Sequence, residues 1–192
     1  MLEKIRATRR YLDYLERHYN NVQKAWAILK ETCKDQRFVW DDYCYFEIND
    51  MVKWHDDSKM SQEEFVPYRE HFYTAAGDRP AEEREEDYQL AWAHHLEVND
   101  HHWQNWTKNE VTITSQIGFM DDIHEKKYVC KDFPYMDIFL AHMLCDWMAM
   151  SMELGGTPQE YYENNKNNIK LPDWAVRDMY IIFERIAPYM GQ

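Results

Sequence analysis

The chain has 192 residues and a formal net charge of −13, with no basic run. A nucleic-acid duplex or an anionic membrane surface would repel such a molecule at long range, which leaves small anions as ligands wherever cations gather locally. Hydrophobic residues make up 45% and aromatics 16%, which argues for a packed globule, and only five glycines and six prolines favour long helices over many short strands. The expected architecture is all-α, one helical bundle of about six to seven helices spanning residues 1–192. Cys33, Cys44, Cys130 and Cys145 show no C-x-x-C spacing, and no signal peptide precedes them. A reduced, cytoplasmic setting is therefore expected.

Residues 2–34 read as one helix, with Leu12, Leu15, Tyr19, Val22, Trp26 and Leu29 at spacings of three and four. His18 falls on that stripe and faces the core. Asn20-Asn21 is a place where the helix could kink. Residues 35–41 read as a loop. A second helix, 42–55, turns Tyr45, Ile48, Met51 and Val52 inward and delivers His55-Asp56 at its end. An imidazole and a carboxylate on adjacent positions suit a divalent metal. Lys59 adds a fixed positive charge three residues on. Ser61 with Glu64 reads as a capping box opening a third helix to about Ala75, and Gly77-Asp78-Arg79-Pro80 stops it.

The acidic run Glu82, Glu83, Glu85, Glu86 and Asp87 suits the positive end of a fourth helix and a solvated face. That helix is expected over 82–107. At 100° per residue, Ala93, Glu97, Asp100 and Gln104 face solvent. Tyr88, Ala91, His95, Asn99, His102 and Trp106 lie opposite. His95 and His102 thus share the buried stripe as candidate ligands, with His94 and His101 on the flank as weaker candidates for either place. Residues 108–133 read as irregular.

Pro134 opens a fifth helix, which ends at Gly155-Gly156. Its stretch from Phe139 to Leu154 is apolar nearly all round but too short for a membrane span, so it reads as a central helix. Asp146 inside it must be protonated, paired or metal-bound, because an unpaired buried carboxylate is costly. His142 lies one turn back and supports it. Thr157 caps a short polar helix, and Pro172 opens a last amphipathic one to about Ala187.

In chain order the inward donors are His18, His55-Asp56, His95, His102 and Asp146. This order resembles the HD-domain superfamily of metal-dependent phosphohydrolases, over roughly residues 8 to 155. His55-Asp56-Asp57-Ser58-Lys59 is similar to that superfamily's H-D-x-[GS]-K form, found in cyclic-dinucleotide phosphodiesterases and in di-iron oxygenases related to inositol oxygenase. The double His-His pairs and Cys145-Asp146-Trp147 look closest to an uncharacterised bacterial and phage branch.

The resemblance implies an HD-domain-like bundle holding one or two divalent transition-metal ions (Fe, Mn, Co, Ni or Zn). His18, His55, Asp56 and Asp146 would hold the first. His95 and His102 would admit a second, with Asp56 as bridge. Asp56 and Lys59 become the catalytic candidates, Lys59 neutralising charge on a small phosphorylated substrate such as a nucleotide. The glycine-tyrosine-proline signature of the cyclic-dinucleotide enzymes is missing, so the substrate does not transfer. Two alternatives stand beside the phosphohydrolase: an HD-type di-iron oxygenase, and a non-enzymatic metal-containing binding protein. Oligomeric state has no signal in the sequence.

Overall fold

The structure, a computed structural model, describes residues 1–107 and 136–190. Those residues form nine α-helices and no strand. The helices are α1 (Leu2–Thr32), α2 (Arg37–Trp40), α3 (Asp42–Lys53), α4 (Phe65–Phe72), α5 (Ala81–Val98), α6 (Trp103–Thr107), α7 (Met136–Leu154), α8 (Pro158–Asn165) and α9 (Asp173–Ile186). The all-α expectation holds, with more and shorter helices than six or seven. Residues 35–41 contain the short α2, and the predicted 82–107 helix is two elements with a break between them. The irregular stretch 108–133, Pro134 and Cys130 lie outside the described residues.

The bundle is organised on α1 and α7, which share the most extensive packing. α1 runs straight through Asn20-Asn21 and buries Ala7, Tyr11, His18, Val22, Ala25, Trp26 and Leu29 along one face. α7 is buried almost all round, from Met136 to Ala149, as its lack of a polar face requires. It ends where Gly155 and Gly156 take φ of +85° and +78°, a left-handed conformation that favours glycine. α8 begins with the expected capping box between Thr157 and Glu160. None of the described helices is long and apolar enough to cross a membrane.

The main apolar cluster joins α1, α3, α7 and α9 through residues such as Leu29, Ile48, Leu144, Met148 and Phe183. A smaller one, Tyr11, Tyr68 and Ala91 with Tyr14, Phe65, Tyr73 and Tyr88 packed against it, joins α1, α4 and α5. The candidate site lies between them. α3 differs in one respect from expectation, burying Cys44 with Ile48 and Val52 while Tyr45 stays exposed.

The turn after α4 is held by a buried ion-pair network. The Asp78 side chain is 1% exposed and takes Arg69 at 2.5 Å and Lys4 at 3.2 Å. It also accepts the Ala75 amide at 2.7 Å. Burial alone would raise the Asp78 pKa. The Arg69 hydrogen bond, the Ala75 amide and Lys4 outweigh it and hold the carboxyl well below the ordinary range. Asp78→Ala, which leaves Arg69 without this partner, is therefore expected to cost about 3 kcal/mol in denaturant unfolding. Because the folded pKa is depressed, the stabilisation is complete above the unfolded value near about 4 and fades as pH falls below it. Wild-type and Asp78→Asn stabilities should converge toward acid.

Candidate metal centre

Five elements deliver the donors. α1 carries His18, and the end of α3 leads into His55 and Asp56. α5 carries His95, the break after it carries His101, and α7 carries His142 and Asp146. Asp56 is the one non-glycine residue with positive φ among those described, at φ 59° and ψ 19°. In a continuing helix, neighbouring side chains diverge by about 100°. The left-handed residue reverses the chain so that His55 and Asp56 face the same point. An aspartate tolerates this conformation better than most residues, but it remains a local strain of the kind found at functional sites.

The first donor group is His18, His55, Asp56 and Asp146. His18 Nε2 lies 3.0 Å from His55 Nε2, 3.4 Å from Asp56 Oδ2 and 3.2 Å from Asp146 Oδ1. His55 Nε2 lies 3.4 Å from Asp56 Oδ2 and 3.6 Å from Asp146 Oδ1. Ligand bonds of about 2.1 Å at octahedral or tetrahedral angles separate neighbouring donors by about 3.0–3.5 Å. The observed spacings fit that interval, with the His55–Asp146 separation just above it. Two imidazole Nε2 atoms facing each other between two carboxylates also make a poor hydrogen-bond set. The group therefore fits a divalent cation, and His18, His55 and Asp146 alone place their donor atoms within 4.8 Å of one another.

A second group faces the other oxygen of the same carboxylate. His95 Nε2 and His101 Nε2 each lie 3.3 Å from Asp56 Oδ1. His95, His101 and His102 also place donor atoms within 4.8 Å of one another. His95 and His102, the two candidates from the sequence, thus both come within reach of a shared cation, and His101 joins them. His101, assigned to the flank, is 2% exposed and meets Asp56. His102 is only partly buried, makes no ion pair with Asp56, and packs edge-on against Trp92 and His95 at ring distances of 5.3 and 4.8 Å. The physical reason is the end of α5 at Val98, since Asn99 is extended (φ −111°, ψ 108°) and the 100° periodicity stops there. Asn99-Asp100 is a turn-forming pair, the signal that marks this break.

Glu64 is the residue that sequence reasoning assigned to another task. No capping box forms at Ser61. Glu64 is itself the N-cap residue of α4, without a side-chain cap bond. Its fully buried carboxylate accepts from His95 Nδ1 at 2.8 Å and His94 Nδ1 at 2.8 Å. A carboxylate on the far nitrogen fixes the tautomer and aims Nε2 at the centre. Ser58 Oγ and Asn99 Nδ2 approach the same His95 nitrogen, at 3.3 and 3.1 Å. Glu64→Ala is expected to weaken the cation held by His95 by about 10–100-fold, read by metal titration, while leaving the His18 group loaded.

His142 plays the corresponding part for His55, with Nε2 3.0 Å from His55 Nδ1. Lys59, buried in a 3-10 turn (Asp57–Met60), places Nζ 2.6 Å from Asp56 Oδ2 and 5.6 Å from the Tyr68 ring centre.

The electrostatics agree with this geometry. Burial would push Asp56 and Asp146 up, but neighbouring histidines (and Lys59, for Asp56) hold both well below the ordinary carboxylate range. Burial lowers His18, but hydrogen bonds to Asp146 and Asp56 carry it up to about 9. Burial and the His55 charge push His101 down to about 4, and burial, with His101 and His55 beside it, lowers His142 as well. With no cation present, the ionised carboxylates raise His18 and His55, whose protons a bound cation would displace, while His101 stays neutral and ready to ligate.

A family model matches residues 7–180, nearly the whole chain and every donor named above. The chain belongs to DUF5662, a family of unknown function. No curated protein and no solved structure matches it. Membership in DUF5662 thus brings no activity with it, and the function rests on the centre's chemistry.

Proposed function

We propose that the protein is a metal-dependent phosphohydrolase of HD-domain type, acting on a small phosphorylated substrate and using two divalent transition-metal ions. The observation that carries this reading is the Asp56 carboxylate, with Oδ2 toward His18 and His55 and Oδ1 toward His95 and His101. A carboxylate with each oxygen turned to a different donor group is one that two cations would share. Divalent metals held there would supply an acidified water and polarise the phosphoryl oxygen. The chain's own residues do the rest. Glu64 and His142 orient the imidazoles, and the aromatic wall of Tyr11, Tyr68 and Trp92 limits water around them. Lys59 keeps a positive charge beside Asp56, where charge on a phosphate oxygen would develop.

A panel of phosphomonoesters, phosphodiesters and nucleotides with manganese, iron, cobalt, nickel or zinc tests the reading through phosphate release. Release that depends on metal and is lost in Asp56→Ala supports it. Oxygen consumption by an iron-loaded form would replace it with an oxygenase, and neither activity in fully loaded protein would leave a binding protein.

Metal should also hold the fold together. A cation bound only by the folded chain, at 100 times its dissociation constant, adds about 2.7 kcal/mol. A chelator is therefore expected to lower the melting temperature by about 5–10 °C for a chain of this size, and Asp146→Asn should shrink that drop.

A further inference from the structure

A second site is written in the arginines. The chain has ten, and six of them make ion pairs with carboxylates: Arg17 with Glu153, Arg37 with Asp137, Arg69 with Glu70 and Asp78, Arg79 with Glu70 and Asp87, Arg177 with Asp178, and Arg185 with Asp35. Arg84 bonds the Glu70 carbonyl and the Thr74 hydroxyl. The remaining three, Arg6, Arg9 and Arg10, have no carboxylate within 4.0 Å among the described residues, and all three line one cavity of about 730 Å³. Glu3 and Asp13 line it on the same helix, and its other wall is Thr74, Ala75 and Ala76, the segment after α4.

Three unpaired guanidiniums are unexpected in a chain of net charge −13. They also sit where they oppose the helix. Arg6 repels Arg9 and Arg10 at spacings of three and four, and all three lie in the half of α1 nearest its positive end. The carboxylates nearby do not relieve them. Glu3 accepts the Ala76 amide at 3.1 Å, tying the two walls together. Asp13, one turn beyond Arg9 and Arg10, pairs with neither. The Arg10 guanidinium rests over the Tyr73 ring, 5.9 Å from its centre, an aromatic support that leaves its donors free. Arg10 lies eight residues from His18, about 12 Å along the helix axis, so this cavity is separate from the metal centre.

We propose that this cavity binds a compact polyanion carrying two or more phosphate groups, held by Arg6, Arg9 and Arg10 through forked, charge-assisted hydrogen bonds. Its volume suits a small molecule. The site stands independently of the phosphohydrolase reading, because it needs neither the metal nor the reaction.

Calorimetric titration with pyrophosphate tests it, in EDTA so that no metal links the probe to the His and Asp centre. Wild-type protein is expected to bind one pyrophosphate per chain. Arg6→Gln/Arg10→Gln should weaken it at least about tenfold with a shallower salt dependence, while its melting temperature holds or rises as the repulsion is removed. A nucleoside diphosphate binding more tightly than pyrophosphate identifies an organic phosphate as the ligand, and the reverse order identifies free polyphosphate. Absence of pyrophosphate binding, or equal binding by wild type and the double variant, overturns the proposal.

Discussion

Asp56→Ala is expected to strip both cations from the centre, so that protein loaded with metal and desalted retains less than about a tenth of the wild-type content. Asp56 gives one oxygen to the His18–His55 group and the other to the His95–His101 group. His95→Ala and His101→Ala should each empty only the second group, and His102→Ala should do less than either because its ring does not reach Asp56. Metal content by mass spectrometry reads all four. Equal losses in His101→Ala and His102→Ala would instead place the second cation among the three histidines, away from the bridge.

Lys59→Ala should separate turnover from metal content. A protonated lysine is no metal ligand, so the loaded protein keeps its cations. Loss of a positive charge beside the reacting phosphate is expected to lower turnover by about two to three orders of magnitude. The 2.6 Å pair with Asp56 adds a second signature. Without metal, the variant leaves a buried carboxylate short of its closest cation, at a cost of about 3 kcal/mol. Chelation should therefore lower the melting temperature further in Lys59→Ala than in wild type. A lysine that merely capped the end of α3 would change stability equally with and without metal.

Sequence periodicity carried far in this chain, although Leu12, Tyr19 and Tyr45 on its inward stripes are exposed, and it failed outright where the chain leaves the helix. His18 lies on an uninterrupted stripe of α1, so 100° per residue places it against the core. Asp146 was legible because a carboxylate in an otherwise apolar helix needs a partner. His55 and Asp56 were readable as a pair, but their convergence depends on a left-handed residue that no propensity announces. The same rule put His101 on the flank because it was carried past Val98, where α5 ends, yet His101 meets Asp56. Glu64 was hidden by a valid local alternative. Ser61 and Glu64 have capping-box spacing, yet two histidines on α5 offer that carboxylate a better use than one backbone amide, and only tertiary packing brings them within reach.

The most direct test of the metal centre is anomalous diffraction from crystals of wild-type protein grown with manganese. The account predicts a strong peak among His18 Nε2, His55 Nε2, Asp56 Oδ2 and Asp146 Oδ1, about 2.0–2.3 Å from each. No peak at that position, with Asp56 and Asp146 still paired directly to the two histidines, would contradict it.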